Sequence, residues 1–66
     1  MRLTVIIEES QEHLFAGMMN EVQGPVQITD WERTRDQAEE ASRGWLREFT
    51  GKKNDISFKL VRRWTN

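Results

Sequence analysis

At the head of the chain Leu3, Val5 and Ile7 alternate with Arg2, Thr4 and Glu8, and only Ile6 interrupts the polar side. That period of two, rich in β-branched residues, predicts a strand that leaves through Ser10-Gln11-Glu12. Val26-Gln27-Ile28-Thr29-Asp30-Trp31 alternates in the same way after Gly24-Pro25 and predicts another strand. The spacing then changes. Ala38, Ala41, Trp45, Leu46 and Phe49 fall on one face of a helix, with Glu39, Glu40, Arg43 and Arg47 on the far side and Glu39–Arg43 as an i,i+4 pair. Thr34-Arg35-Asp36-Gln37 fits a capping box at its start, and Gly51 ends it. Gly44, inside the helix, costs about 1 kcal/mol relative to alanine and suggests a close backbone approach there. After a solvated turn at Lys52-Lys53-Asn54-Asp55, Ile56, Phe58 and Leu60 alternate with Ser57, Lys59 and Val61. They form a last strand running out through Arg62-Arg63-Trp64.

Residues 11–23 admit two readings. As a helix, Ser10 is the N-cap, Gly24-Pro25 the stop, and Leu14, Phe15, Met18, Met19 and Val22 share a face. As a strand, Leu14, Ala16 and Met18 alternate with Phe15, Gly17 and Met19, and a hairpin closes through Gln11–His13. Propensity favours the helix, and tertiary context often overrides propensity. The expected fold is a single α+β domain over residues 1–66, ordered β-β-β-α-β, with one helix on one face of a four-stranded sheet. The last strand should lie beside the first and parallel to it, because one crossover helix joins parallel strands. The alternative is β-α-β-α-β with residues 11–23 helical.

Composition narrows the classes. Sixty-six residues, 36% apolar and without cysteine, lie near the lower size limit for a core that holds a chain together unaided. Neither disulfides nor thiolate chemistry can help, so a cytoplasmic setting is the simplest expectation. No apolar run approaches the roughly 20 residues that span a bilayer. The net charge of −1 hides an asymmetry. Residues 1–32 hold six acids against one base, a net −5, and residues 33–66 hold nine bases against five acids, a net +4. Such a chain can steer a charged partner, or its halves can neutralise each other on folding.

Candidate chemistry is sparse. His13, the only histidine, has Glu9 and Glu12 near it in sequence, a set that falls short of an ordinary zinc or iron site. Ser10, Ser42 and Ser57 have no motif that places a base beside them, and no phosphate-binding glycine pattern occurs. No catalytic, metal or cofactor residues are therefore expected, and the protein reads as a non-enzyme. Lys52, Lys53, Lys59, Arg62 and Arg63, ending in Trp64, combine cations with a stacking ring. Lys59, Arg62, Arg63 and Trp64 are thus candidates for nucleic-acid contact. A second candidate is the sheet face that one helix would leave bare. It would carry Ile6, Trp31 and Val61, which suit a protein partner or a homodimer contact, with Trp31 as main anchor.

Short motifs also carry a resemblance. Val5-Ile6-Ile7-Glu8 precedes Asn20-Glu21-Val22-Gln23-Gly24, and Thr34-Arg35-Asp36-Gln37-Ala38 opens the helix. Over residues 3–49 this resembles the HicB-type antitoxins, which have a Pro-Glu-Leu-Pro-Gly-like segment and a Gly-Asp-Thr-x-x-Glu-Ala helix start. Glu21, Gly24, Thr34 and Ala38 match; both prolines and the Gly-Asp pair are missing. The resemblance implies a β-β-β-α-β partial ribonuclease-H-like domain without ribonuclease activity that binds a small toxin. The layout is also similar to that of very small phage proteins that inhibit a host complex such as RNA polymerase or a CRISPR assembly.

Overall fold

A computed structural model describes residues 2–50 and 55–62. The elements run β1 (Arg2–Glu9), β2 (Phe15–Glu21), β3 (Gly24–Gln27), α1 (Arg35–Thr50) and β4 (Asp55–Arg62). The four strands form one sheet in the order β3-β2-β1-β4. β1 is antiparallel to β2 and β2 to β3, whereas β4 runs parallel to β1 in a register from Arg2↔Asp55 to Glu9↔Arg62. This is the expected β-β-β-α-β fold, with the crossover helix joining β3 to the parallel strand β4.

Residues 11–23 are a turn and a strand rather than a helix. Ser10 does not cap a helix; it closes the turn, its N–H donating to Leu14 O (2.8 Å) and its hydroxyl accepting from Leu14 N (3.2 Å). His13 takes the left-handed backbone conformation this turn needs (φ 62°). Pairing puts Phe15 beside Glu9 and Gly17 beside Ile7. Phe15, Gly17 and Met19 therefore join the odd-numbered residues of β1 on the helix side. Burial of that row outweighs the helix propensity of its Ala and Met neighbours.

Leu3, Val5 and Ile7 of β1 and Ile56, Phe58 and Leu60 of β4 face α1, which packs mainly over β2 and β1. Val5, Ile7, Ala38 and Leu46 make the buried core, flanked by partly buried Phe15, Met19 and Ile28. Thr34 caps α1 as its sequence suggests, its hydroxyl accepting from Gln37 N at 3.1 Å. The expected Glu39–Arg43 pair is present but long (4.0 Å), because Arg43 lies nearer Glu40 (3.3 Å) and its guanidinium covers the Phe58 ring.

Three expectations need correction. β3 ends at Gln27 rather than continuing to Trp31. Met18 pairs with Gln27 and Phe15 with Glu32, so residues 28–31 loop out against only Ala16 and Gly17. Thr29 fills the lapse: its Oγ1 accepts from Gly17 N (2.9 Å), while Ile28 N still donates to Gly17 O (2.8 Å). The apolar stripe of α1 is not buried throughout, since the line facing the sheet is Ala38, Ser42 and Leu46. Trp45 and Phe49 lie to one side, 36% and 75% exposed. Finally, the close backbone approach is at Gly17, where a Cβ would collide with the buried Ser42 hydroxyl; nothing lies near a Cβ on Gly44.

Candidate functional site

Sheet alternation decides which candidate residues share a surface. On the face away from α1, Ile6 pairs with Met18 on one side and Lys59 on the other, while Glu8 lies between Ala16 and Val61. Ile6 and Val61 are thus diagonal neighbours on that face, both half-buried, beside the buried Ala16 and Met18. Among the described residues, α1 is the only helix, and it packs on the opposite side. Trp31 does not stand in a strand with them. It lies in the connection leading to α1, 42% exposed, next to the Phe15–Glu32 bridge at the end of the sheet.

On the helix side an open groove of about 620 Å³ runs between that connection and α1. Residues 27–30 and Glu32 form one wall; Ala41, Gly44, Trp45 and Glu48 form the other. Trp31 is the one residue of 27–32 that does not line it. Beside the groove the Trp45 and Phe49 rings stack nearly parallel, 4.8 Å between centroids and 7° between planes. Both rings are on one helix, four residues apart, so the stack is fixed without any ligand. Sequence reasoning placed both rings in the core. The signal that could have separated them was the four-residue step Ala38–Ser42–Leu46, whose small members mark the line of closest packing.

The basic residues do not gather on one surface. Lys59 pairs with Ile6 and Arg62 with Glu9, so their side chains leave opposite faces of the sheet. Lys52, Lys53, Arg63 and Trp64 lie outside the described residues. Arg62 is engaged structurally, its Nε donating to Glu9 Oε1 at 2.8 Å. The other Glu9 oxygen is 2.7 Å from His13 Nδ1. Glu9 is nearly buried, and the bonds from His13 and then Arg62 hold its carboxyl below the usual glutamate range. The cluster ties the β1–β2 turn to the end of β4.

Its chemistry is that of a clamp. Among the described residues no three His, Cys, Asp or Glu side chains converge as metal ligands. The Ser42 hydroxyl is buried against Ala38 O (2.8 Å), and Ser57 pairs with Thr4 at the other end of the sheet from His13. No helix among the described residues is long and apolar enough to cross a membrane. Comparison with protein-family models, curated proteins and solved structures finds no match.

Proposed function

We propose that this is a non-enzymatic binding module that sequesters or inhibits a partner protein in the manner of an antitoxin. A phage-type inhibitor of a host complex has the same physical requirements. The observation that carries the reading is the amount of large apolar side chain left in solvent. Trp31, Trp45, Phe49 and Val26 are each more than a third exposed in a chain of only 66 residues. Soluble monomers scatter single apolar residues over their surfaces, but grouped aromatic rings on rigid elements mark contact sites.

Ile6 and Val61 on the face away from α1, with Trp31 at the end of the sheet, form the proposed contact surface. The Trp45–Phe49 stack offers a second anchor on the other side. Nucleic-acid binding through Lys59, Arg62, Arg63 and Trp64 is less favoured, because Lys59 and Arg62 diverge and Arg62 is held by Glu9. That alternative predicts a mobility shift of DNA or RNA at low salt that Arg62→Ala with Arg63→Ala abolishes.

The direct test is capture of partners from the native host with wild-type protein and with Trp31→Ala. Truncating a central tryptophan typically weakens association by about 2 kcal/mol, or roughly thirtyfold. A protein retained by the wild type and lost by the variant, with an unchanged melting temperature, supports the reading. Retention of the same partners by Trp31→Ala and by Trp45→Ala alike would sink it.

A further inference from the structure

We propose that the outer edge of β4 is the seat of a symmetric homodimer, in which β4 pairs antiparallel with β4 of a second copy about an axis through Phe58. Three observations converge on it. β4 is the outermost strand of the sheet, eight residues long, and among the described residues nothing pairs with its outer edge. It contains no proline, in contrast to β3 at the opposite edge, where Pro25 cannot donate to a further strand. Its backbone N–H and C=O groups on that side are a template for another strand.

The second observation is cover. α1 lies mainly over β2 and β1, so Ile56, Phe58 and Leu60 on the helix side of β4 remain only half-buried. The third is symmetry within the strand. Ile56-Ser57-Phe58-Lys59-Leu60 reads apolar, polar, Phe, polar, apolar in both directions. Pairing about Phe58 sets Ile56 opposite Leu60 of the second copy and Phe58 opposite its counterpart. A two-fold interface must be self-complementary in this way.

Charge and apolar matching together distinguish this register from its neighbours. Shifting the axis to Lys59 would set two lysines directly opposite each other, which is unfavourable at cross-strand distance. Shifting it to Ser57 would set Asp55 opposite Lys59 but take Leu60 away from Ile56, its apolar counterpart in the Phe58 register. Centred on Phe58, Lys59 lies opposite Ser57, with Asp55 of the second copy at one diagonal and the second Lys59 at the other. Arg43, over Phe58, brings its own counter-charge in Glu40. The product is a continuous eight-stranded sheet with one helix from each copy on the same side. This inference stands apart from the partner proposed above, since the dimer needs neither Trp31 nor Trp45.

Ser57 is exposed and makes the test without endangering the fold. Sedimentation equilibrium of the wild type over a micromolar-to-millimolar series should show a monomer–dimer equilibrium. Ser57→Lys places like charges opposite each other at two symmetry-related positions and should weaken the dimer about tenfold. Ser57→Glu creates two opposite-charge pairs with Lys59 and should strengthen it by a similar factor. Combining Ser57→Lys with Lys59→Glu turns both like-charge pairs into opposite-charge pairs and should reverse the loss, giving a dimer tighter than the wild type. Circular dichroism of each variant should match the wild type. A wild type that stays monomeric to millimolar concentration overturns the proposal, as does a dimer whose constant is the same in Ser57→Lys and Ser57→Glu.

Discussion

Alanine at Gly17 should destabilise this protein, although glycine-to-alanine changes at unstrained sites ordinarily stabilise by about 0.4–1 kcal/mol through the unfolded chain. The reason is the closeness of α1. A Cβ built on Gly17 overlaps the Ser42 hydroxyl and lies 3.2 Å from Thr29 Cγ2 and 3.3 Å from Ile28 Cγ1. Thr29 and Ile28 can give a few tenths of an ångström; Ser42 cannot, being fully buried and bonded to Ala38 O. Overpacking of this kind costs about 1–3 kcal/mol, so the net loss after the entropic gain is about 1–2 kcal/mol. For a chain of this size that lowers the melting temperature by roughly 5–15 °C. Ser42→Ala removes the overlapping oxygen and is itself close to neutral, because the lost bond to the i−4 carbonyl is offset by better helix propensity. Urea denaturation of the two single variants and the double variant should give a favourable coupling of at least about 1 kcal/mol. An equal cost of Gly17→Ala with and without the Ser42 hydroxyl would refute the idea that this contact sets the spacing of helix and sheet.

The same substitution at Gly44 should have the opposite sign, stabilising by about 1 kcal/mol in urea denaturation, because nothing lies near the added methyl and the site is helical. Leu46→Ala should cost about 2–5 kcal/mol and Phe49→Ala less than about 1 kcal/mol in thermal denaturation, since Leu46 is buried and Phe49 is largely exposed. Glu9→Gln should destabilise the protein at neutral pH. The folded-state carboxyl of Glu9 titrates below its unfolded value, so its contribution is present above about pH 4.3 and is lost as pH falls through the folded pKa. Melting curves of wild type and Glu9→Gln should therefore converge on acidification; a constant separation down to pH 3 contradicts the clamp. Thr34→Ala, which removes the acceptor for Gln37 N, should cost about 1 kcal/mol by the same thermal measurement.

Most of the fold was legible because three patterns each had a single physical cause. The alternation around Val5 and Ile7, the Thr34 cap and the alternation at Ile56–Leu60 fixed β1, α1 and β4, and one helix between two of them implied parallel pairing. Residues 11–23 were harder because their signal is non-local. Gly17 fits this strand because Ser42, twenty-five positions later, occupies the space a Cβ would need. The end of β3 was illegible for a similar reason: Gln27-Ile28-Thr29-Asp30-Trp31 alternates well, but pairing of Glu32 with Phe15 forces the intervening residues out of the ladder. Of the candidate site, sheet alternation sufficed to place Ile6 and Val61 on one face. The same alternation separates Lys59 from Arg62, three positions apart on β4, so the divergence of the basic residues was legible too; the Glu9–Arg62 pair was not, because it depends on the register with β1.

The position of α1 links these local facts to the surface that remains. One helix cannot cover four strands spaced roughly 4.8 Å apart, because its own diameter is about 10–12 Å. Gly17 and Ser42 draw α1 over β2 and β1, and what it leaves at the margins is apolar on both sides. Towards β3 lie Val26 and the Trp45–Phe49 stack; towards β4 lies the half-buried row Ile56, Phe58 and Leu60. A larger domain would add a second helix to close such margins. The associations proposed above would cover them. The margin at β4 has the symmetry of a strand that pairs with itself. The margin at β3 has no such symmetry, and its groove is rimmed by Asp30, Glu32 and Glu48. The proposed self-association at β4 would therefore leave the Trp45–Phe49 stack open as the second anchor for the proposed partner, and binding there should persist in a dimer whose β4 edges are already occupied.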